Sequence, residues 1–325
     1  MSAPRIRILA TGGTIAGSAG SATERAYRPG QIGVGELLEA ADRLGLEARF
    51  EGCDIAAIGS QDIGWPQWDA LHRMISDTLS GDEFDGIIVT HGTDTAEETA
   101  FLLDLAIPAV KPVVLVGAMR PADAVGSDGM RNLANAVRVA GDPAAAGRGV
   151  LVVMSDQVFA ASDVRKAATG GAEAFRGFPR GPIANVTPTS LDWFGPPDRA
   201  GRGARFAWPE ALPKVAILTA YAGMEADTVG CALGSGDEGI VLAGLGSGNA
   251  PGPVIDALAA AGVPVVRSSR VDQGSVDRNL EVEDDAHGFV AARGFGPAKA
   301  RILLQVCLAN GIADPAAIQA EFDRR

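Results

Sequence analysis

Short β-branched apolar runs alternate with helical patterns as far as about residue 190, and this alternation restricts the fold more than any other feature. Strand-like runs lie at 6–10, 55–58, 86–90, 113–117 and 150–154. Helical patterns lie at 34–44, 66–80, 95–106 and 127–140; in the last, Met130, Leu133, Ala134 and Val137 recur at helical spacing. Such a series builds βαβ units, and so a mainly parallel sheet flanked by helices. The pattern breaks over about 189–213, where Gly195-Pro196-Pro197-Asp198-Arg199-Ala200-Gly201-Arg202-Gly203 reads as a linker or long loop. A second alternation starts at Val215-Ala216-Ile217-Leu218, continues through 240–243 and 263–266, and closes with helices near 297–309 and 315–323. The expected fold is α/β. A larger N-terminal domain at 1–190, with a mainly parallel sheet, would carry the chemistry. A linker at 191–213 leads to a smaller C-terminal α/β domain at 214–325. The chain has 325 residues and is 47% hydrophobic, enough to bury two cores.

Two of the strand ends carry hydroxyl side chains. Ile6-Arg7-Ile8-Leu9-Ala10 runs into Thr11-Gly12-Gly13-Thr14-Ile15-Ala16-Gly17. In open α/β sheets ligands collect at the carboxyl ends of strands. The paired glycines allow a sharp turn and a close backbone approach. The following stretch, 18–26, is small and polar and reads as a mobile loop leading to one aromatic hydroxyl, Tyr27. The glycine pattern is not Gly-x-Gly-x-x-Gly, and no Gly-Lys-Ser/Thr follows, so neither nucleotide fingerprint fits. The second strand end is Ile87-Ile88-Val89 followed by Thr90-His91-Gly92-Thr93-Asp94-Thr95. Thr95 and Glu98 have capping-box spacing, which predicts a helix starting near Thr95. Thr93 and Asp94 then precede a helix N-terminus, which favours developing negative charge. Read alone, Asp94 is equally a cap or a turn former.

Thr11–Gly17 taken with His91–Thr95 resembles the signature pair of the bacterial-type L-asparaginases and glutaminase-asparaginases. Ile58-Gly59-Ser60-Gln61-Asp62, the run from Lys111 to Pro121, Gly149–Met154 and Val265-Val266-Arg267-Ser268-Ser269-Arg270-Val271 extend the likeness in order along the chain. The resemblance implies an L-asparagine amidohydrolase that releases aspartate and ammonia through a threonine acyl-enzyme, with L-glutamine as a secondary substrate. By that resemblance Thr14 is the nucleophile and Tyr27 closes over it. Thr93, Asp94 and Lys166 form a second hydrogen-bonded set, with Lys166 in the matching segment Ser162-Asp163-Val164-Arg165-Lys166. Gly13, Ser60, Gln61, Thr93 and Asp94 hold the substrate. Asn249 and Glu281 align with contacts supplied by a neighbouring subunit, and the family is typically a tetramer built from two intimate dimers. Two other readings compete. One is a non-catalytic amino-acid sensor, which needs no nucleophile. The other is the asparaginase-like subunit of a tRNA-linked amidotransferase, which carries a further N-terminal domain before its first motif.

A net charge of −12 argues against nucleic acid or an anionic membrane as partner. No run of about 20 apolar residues and no leading apolar segment is present, which predicts a cytoplasmic protein, or a periplasmic one if the sequence is a processed form. Cys53, Cys231 and Cys307 are scattered and read as small buried apolar residues. Secreted members of the family resembled often carry a disulfide near the segments matching Ser80 and Val110, and neither segment has a cysteine here. The three histidines show no zinc-ligand spacing, and no cofactor or metal is implied. His91 reads as a structural hydrogen-bonder.

Overall fold

The protein was obtained as a computed structural model that describes residues 3–19, 27–28, 30–31 and 33–324. Contacts divide the chain into two units, Met1–Arg205 and Phe206–Arg325.

In the first unit the chain runs β1 (Arg5–Gly12), β2 (Ser18–Ala19), β3 (Tyr27–Arg28), α1 (Val34–Arg43), β4 (Arg49–Ile58), α2 (Trp65–Ser80), β5 (Gly86–Thr90), α3 (Ala96–Ala106), β6 (Val113–Val116), α4 (Gly129–Ala140) and β7 (Val150–Met154). Then follow β8 (Gln157–Ala160), β9 (Val164–Lys166), β10 (Phe175–Gly177), β11 (Ala184–Thr187) and β12 (Ser190–Trp193). The main sheet has eight strands in the order β12-β11-β8-β7-β6-β5-β1-β4. From β4 to β7 all pairings are parallel; β8, β11 and β12 extend that sheet antiparallel. The turn from β7 to β8 is Ser155-Asp156, with φ of 52° and 63°. Two left-handed residues are what a two-residue hairpin needs to match strand twist.

Both faces of the sheet are apolar. Ile6, Ile8, Ala10, Ile88, Val114 and Val116 pack with Val34 of α1 and Leu133, Ala136 and Val137 of α4. Leu9, Ile87, Val89, Val113 and Leu115 pack with Leu71 and Ile75 of α2 and with Ala100 and Leu103 of α3. The β1 sequence therefore points alternate residues into two cores, as a strand buried between helix layers must. β1 lies between β4 and β5. The chain leaves β1 towards β4 and then crosses back over β1 to β5. The direction of strand order thus reverses at the carboxyl end of β1, which is where open α/β sheets place their ligands.

The second unit holds β13 (Val215–Thr219), α5 (Asp227–Gly234), β14 (Gly239–Gly244), α6 (Gly252–Ala259), β15 (Val265–Ser269), α7 (Asp284–His287), β16 (Phe289–Ala291), α8 (Pro297–Ala309) and α9 (Pro315–Asp323). Its sheet is parallel, in the order β13-β14-β15-β16. Val229 of α5 with Val254, Ile255 and Leu258 of α6 covers Ile240, Leu242 and Val265. The architecture is the expected pair of α/β units, the larger one N-terminal.

Three details differ from the sequence expectation. Residues 191–193, expected to open the linker, are sheet, because β12 pairs with β11 from Thr187↔Ser190 to Ala184↔Trp193. Arg199, inside the same stretch, is tied to Asp104 by an ion pair. Of the cysteines, expected to be buried, only Cys307 is; Cys231 is exposed on the outer face of α5 and Cys53 is intermediate.

Candidate active site

Three strand ends meet at the reversal point. Gly12 and Gly13, at the end of β1, have φ of 99° and 78°, a conformation that side chains resist. A Cβ on Gly13 would collide with the backbone of Gly92, and one on Gly92 would lie 2.7 Å from Ser60 Oγ. Glycine at these two positions lets the loops after β1, β4 and β5 touch through their backbones. The Gly13 N–H donates to the Ile58 carbonyl at 3.0 Å. That bond leaves Gly13 a ligand role through close approach rather than through its N–H. The Thr11 hydroxyl donates to the Thr90 carbonyl at 2.9 Å, joining the ends of β1 and β5.

Thr14 opens a single 3-10 turn, Thr14–Ala16, and is buried. Ser60 opens another, Ser60–Asp62, and is buried too. Its hydroxyl accepts the Asp94 N–H at 3.2 Å. Accepting that bond leaves the hydroxyl hydrogen as a donor. Gln61 beside it is exposed, with its amide 3.1 Å from Asp62.

Thr93 and Asp94 sit just before α3. The helix starts where the spacing predicts, with Thr95 at its N-cap position, but without the capping bond. Thr95 makes no side-chain cap bond. Its hydroxyl donates to the Ser60 carbonyl at 2.8 Å instead, and the Glu98 N–H goes to the Thr95 carbonyl. The residue expected to cap the helix therefore fastens the helix start to the Ser60 turn. Asp94 still precedes the positive end of the α3 dipole.

Lys166 arrives from outside the main sheet, at the end of β9 in the β9–β10 ladder. Its Nζ donates to Thr93 Oγ1 at 2.8 Å and to Asp94 Oδ1 at 2.5 Å. The lysine side chain is 17% exposed and the aspartate 62%, so the pair sits at the mouth of the site. An N–H donated to Thr93 Oγ1 withdraws charge from that oxygen and directs its hydrogen elsewhere, as an activated hydroxyl requires. The Lys166 N–H donates to Glu97 Oε2 at 2.9 Å, and nothing in the residue pattern singles that partner out.

Behind this cluster lies a buried chain that sequence reasoning found only at His91. The Trp68 indole donates to Thr99 Oγ1 at 2.9 Å, Thr99 Oγ1 lies 2.9 Å from His91 Nε2, and His91 Nδ1 lies 2.6 Å from the Gly92 carbonyl. Burial pushes the His91 pKa down to about 4, which suits a structural hydrogen-bonder and not a base at neutral pH.

Gly13, Thr14, Ser60, Thr93, Asp94 and Lys166 thus share one end of the sheet in the first unit. Asn249 and Glu281 belong to the second unit, where the Asn249 amide donates to Glu281 Oε2 at 3.1 Å. The backbone of Tyr27 pairs with Ala19, while its side chain and the loop 20–26 lie outside the described residues. Among the described residues no group of three His, Cys, Asp or Glu could hold a metal ion, and no helix is long and apolar enough to cross a membrane.

The chain is similar to known proteins along almost its whole length. The family profile "Asparaginase, N-terminal" matches residues 5–199, and "Glutaminase/Asparaginase C-terminal domain" matches 214–322. The "Probable L-asparaginase periplasmic" of Haemophilus influenzae is 42% identical over 98% of this chain and 93% of its own. "L-asparaginase 2" of Escherichia coli is 42% identical over 99% and 93%. The "Glutaminase-asparaginase" of Pseudomonas fluorescens biotype A is 38% identical over 93% and 85%. With both profiles together covering almost the whole chain, the protein belongs to the asparaginase family of amidohydrolases.

Proposed function

We propose that the protein hydrolyses L-asparagine to L-aspartate and ammonia through an acyl-enzyme on Thr14. The observation that carries this reading is the Lys166 Nζ held between Thr93 Oγ1 and Asp94 Oδ1, beside the glycine-locked loop of Thr14. Amide cleavage by a hydroxyl needs a nucleophile, a proton acceptor, stabilisation of the oxyanion and a clamp for the substrate. The Thr14 oxygen attacks the side-chain carbonyl, ammonia leaves with a proton, and water then cleaves the ester to release aspartate. In this reading Tyr27 closes over Thr14. Thr93, Asp94 and Lys166 move the proton, and the N-terminus of α3 favours the negative charge that develops.

The clamp must grip one carboxylate and one ammonium. Ser60 and Gln61 donate to the carboxylate, Asp94 accepts from the ammonium, and Gly13 lets the substrate approach. Asn249 and Glu281, already bonded to each other, complete the clamp in a neighbouring subunit's site. The assembly is then a homotetramer of two intimate dimers. L-Glutamine is one methylene longer, a difference worth only about 1–3 kcal/mol, so secondary glutaminase activity is part of the proposal. The Pseudomonas relative carries both activities in its name. No cofactor takes part. Three free thiols suit the reducing cytoplasm, although the Haemophilus relative is named periplasmic; cell fractionation tells the two compartments apart.

The test is ammonia release from the purified protein with L-asparagine or L-glutamine, beside Thr14→Ala. Asparagine hydrolysis that falls by several orders of magnitude in the variant is the expected result. Undiminished turnover in Thr14→Ala overturns the nucleophile. Absence of ammonia from the wild type, with binding retained, replaces the enzyme by a sensor.

A further inference from the structure

We infer that Glu97 is a positioning residue for catalysis, which fixes Lys166 by its main chain while Asp94 and Thr93 receive its ammonium. The inference rests on the role given to Lys166 above.

Lys166 needs an anchor because of where it comes from. β9 is three residues long and belongs to a two-stranded ladder separate from the eight-stranded sheet. Apolar packing holds the ladder by Val164 and Phe175, which lie in the core shared with α2 and α3. Those contacts hold the ladder by one residue of each strand, Val164 opposite Gly177 and Phe175 opposite Lys166, and leave the main chain of Lys166 itself to be fixed by hydrogen bonding. Lys166 is the last residue of β9, and the following N–H groups of Ala167 and Ala168 turn back to the Ala174 carbonyl. Strand alternation turns the Lys166 N–H to the opposite edge, away from β10. There the Glu97 carboxylate accepts it at 2.9 Å.

The acceptor is placed by the same element that places the rest of the cluster. Glu97 is in the first turn of α3, three residues after Asp94. A carboxylate there is favoured by the helix dipole and sits on a stiff element. One helix start therefore grips the lysine at two points, Nζ through Asp94 and N through Glu97, with the whole side chain between them. A Lys166 displaced by about 1 Å loses the simultaneous bonds to Thr93 and Asp94, and errors of that size cost up to about 100-fold in rate. Glu97 touches neither reacting atoms nor substrate in this scheme. Its loss is expected in kcat, with KM little changed, because the carboxylate and ammonium clamps stay in place.

The experiment compares Glu97→Ala, Glu97→Gln and Lys166→Met with the wild type. It measures kcat and KM for L-asparagine across pH 6 to 9, with thermal unfolding alongside. Glu97→Ala is expected to lower kcat about 10- to 100-fold, with KM within about 3-fold and unfolding close to that of the wild type. Glu97→Gln keeps an oxygen acceptor for the Lys166 N–H and is expected to restore kcat to within about 3-fold, with an unshifted pH profile. Full kcat in Glu97→Ala, with Lys166→Met inactive, overturns the positioning role alone. Full activity in Lys166→Met overturns the role of Lys166 and this inference with it. Glu97→Gln as impaired as Glu97→Ala overturns the acceptor role, since charge would then be what matters.

Discussion

His91 is held as one neutral tautomer by its neighbours. The Gly92 carbonyl can only accept, so Nδ1 carries the hydrogen. Nε2 then accepts from the Thr99 hydroxyl, which in turn accepts from the Trp68 indole. A proton added at Nε2 would have to displace the Thr99 hydroxyl hydrogen in a fully buried place. Burial accordingly lowers the pKa from 6.5 to about 4. The consequence for stability has a definite sign. Between pH 4 and 6.5 the unfolded chain binds a proton at this residue and the folded chain does not, so acid favours unfolding. The His91 contribution is complete above pH 6.5 and is lost as the pH falls towards 4, to a total of about 3 kcal/mol. Urea unfolding of the wild type and of His91→Gln at intervals over this window tests it. The wild type should lose stability more steeply by about that amount, and parallel curves refute the assignment.

Among the elements, β15 and α7 are joined by a fully buried ion pair. Arg267 and Asp284 are both 0% exposed, and the guanidinium grips both carboxylate oxygens at 2.5 Å. Its remaining N–H groups donate to the carbonyls of Ser247, Gly248 and Asp277. All five donors are therefore used, and the loops that carry Asn249 and Glu281 are fastened to one side chain. Removing one partner strands a buried charge, whereas replacing both with apolar groups is nearly neutral. Arg267→Met is expected to cost about 3–5 kcal/mol of unfolding free energy, and adding Asp284→Leu should recover most of it. A double variant as unstable as the single one would show that the carbonyl bonds, not the charge, dominate. The sequence made the strong elements legible: the runs at 86–90 and 150–154 are the strands observed, as are the helices at 297–309 and 315–323. The antiparallel strands β8 to β12 were not legible, since each has only three or four residues and the β7–β8 turn is Ser-Asp rather than a glycine turn. At the site, Thr14, Thr93 and Asp94 could be read because they stand at strand ends. Lys166 is 72 residues from Asp94 and reaches it by a ladder with no sequence signal, so only resemblance pointed to it. Glu97 looked like any acid in a first helical turn. Thr95 marked the helix start correctly, but not its own partner, because a cap hydroxyl can also donate, and here the Ser60 carbonyl takes it.

At the scale of the whole molecule, the residues named in the proposal fall in both units. Thr14, Thr93, Asp94 and Lys166 lie in the first, and Asn249 with Glu281 in the second. Exposed acids normally do no more than solvate a surface. Glu281 is exposed, yet it is tied to Asn249, and the loop around it is braced by Asn279 and Arg278 on Asp285. A loop ordered to this degree suits a contact that must keep its shape when it meets a ligand. If Glu281 serves a neighbour's Thr14, each site takes residues from two chains, and two inactive variants can repair each other. In a two-fold pair of one Thr14→Ala chain and one Glu281→Ala chain, one site carries both defects and the other carries neither. Random pairing of equal amounts leaves about one intact site in four. Co-expression of the two variants is therefore expected to give about a quarter of wild-type asparagine hydrolysis, well above either variant alone. Glu281→Ala with wild-type activity removes Glu281 from the clamp, and a mixture no more active than the mean of its parents places it in its own subunit's site.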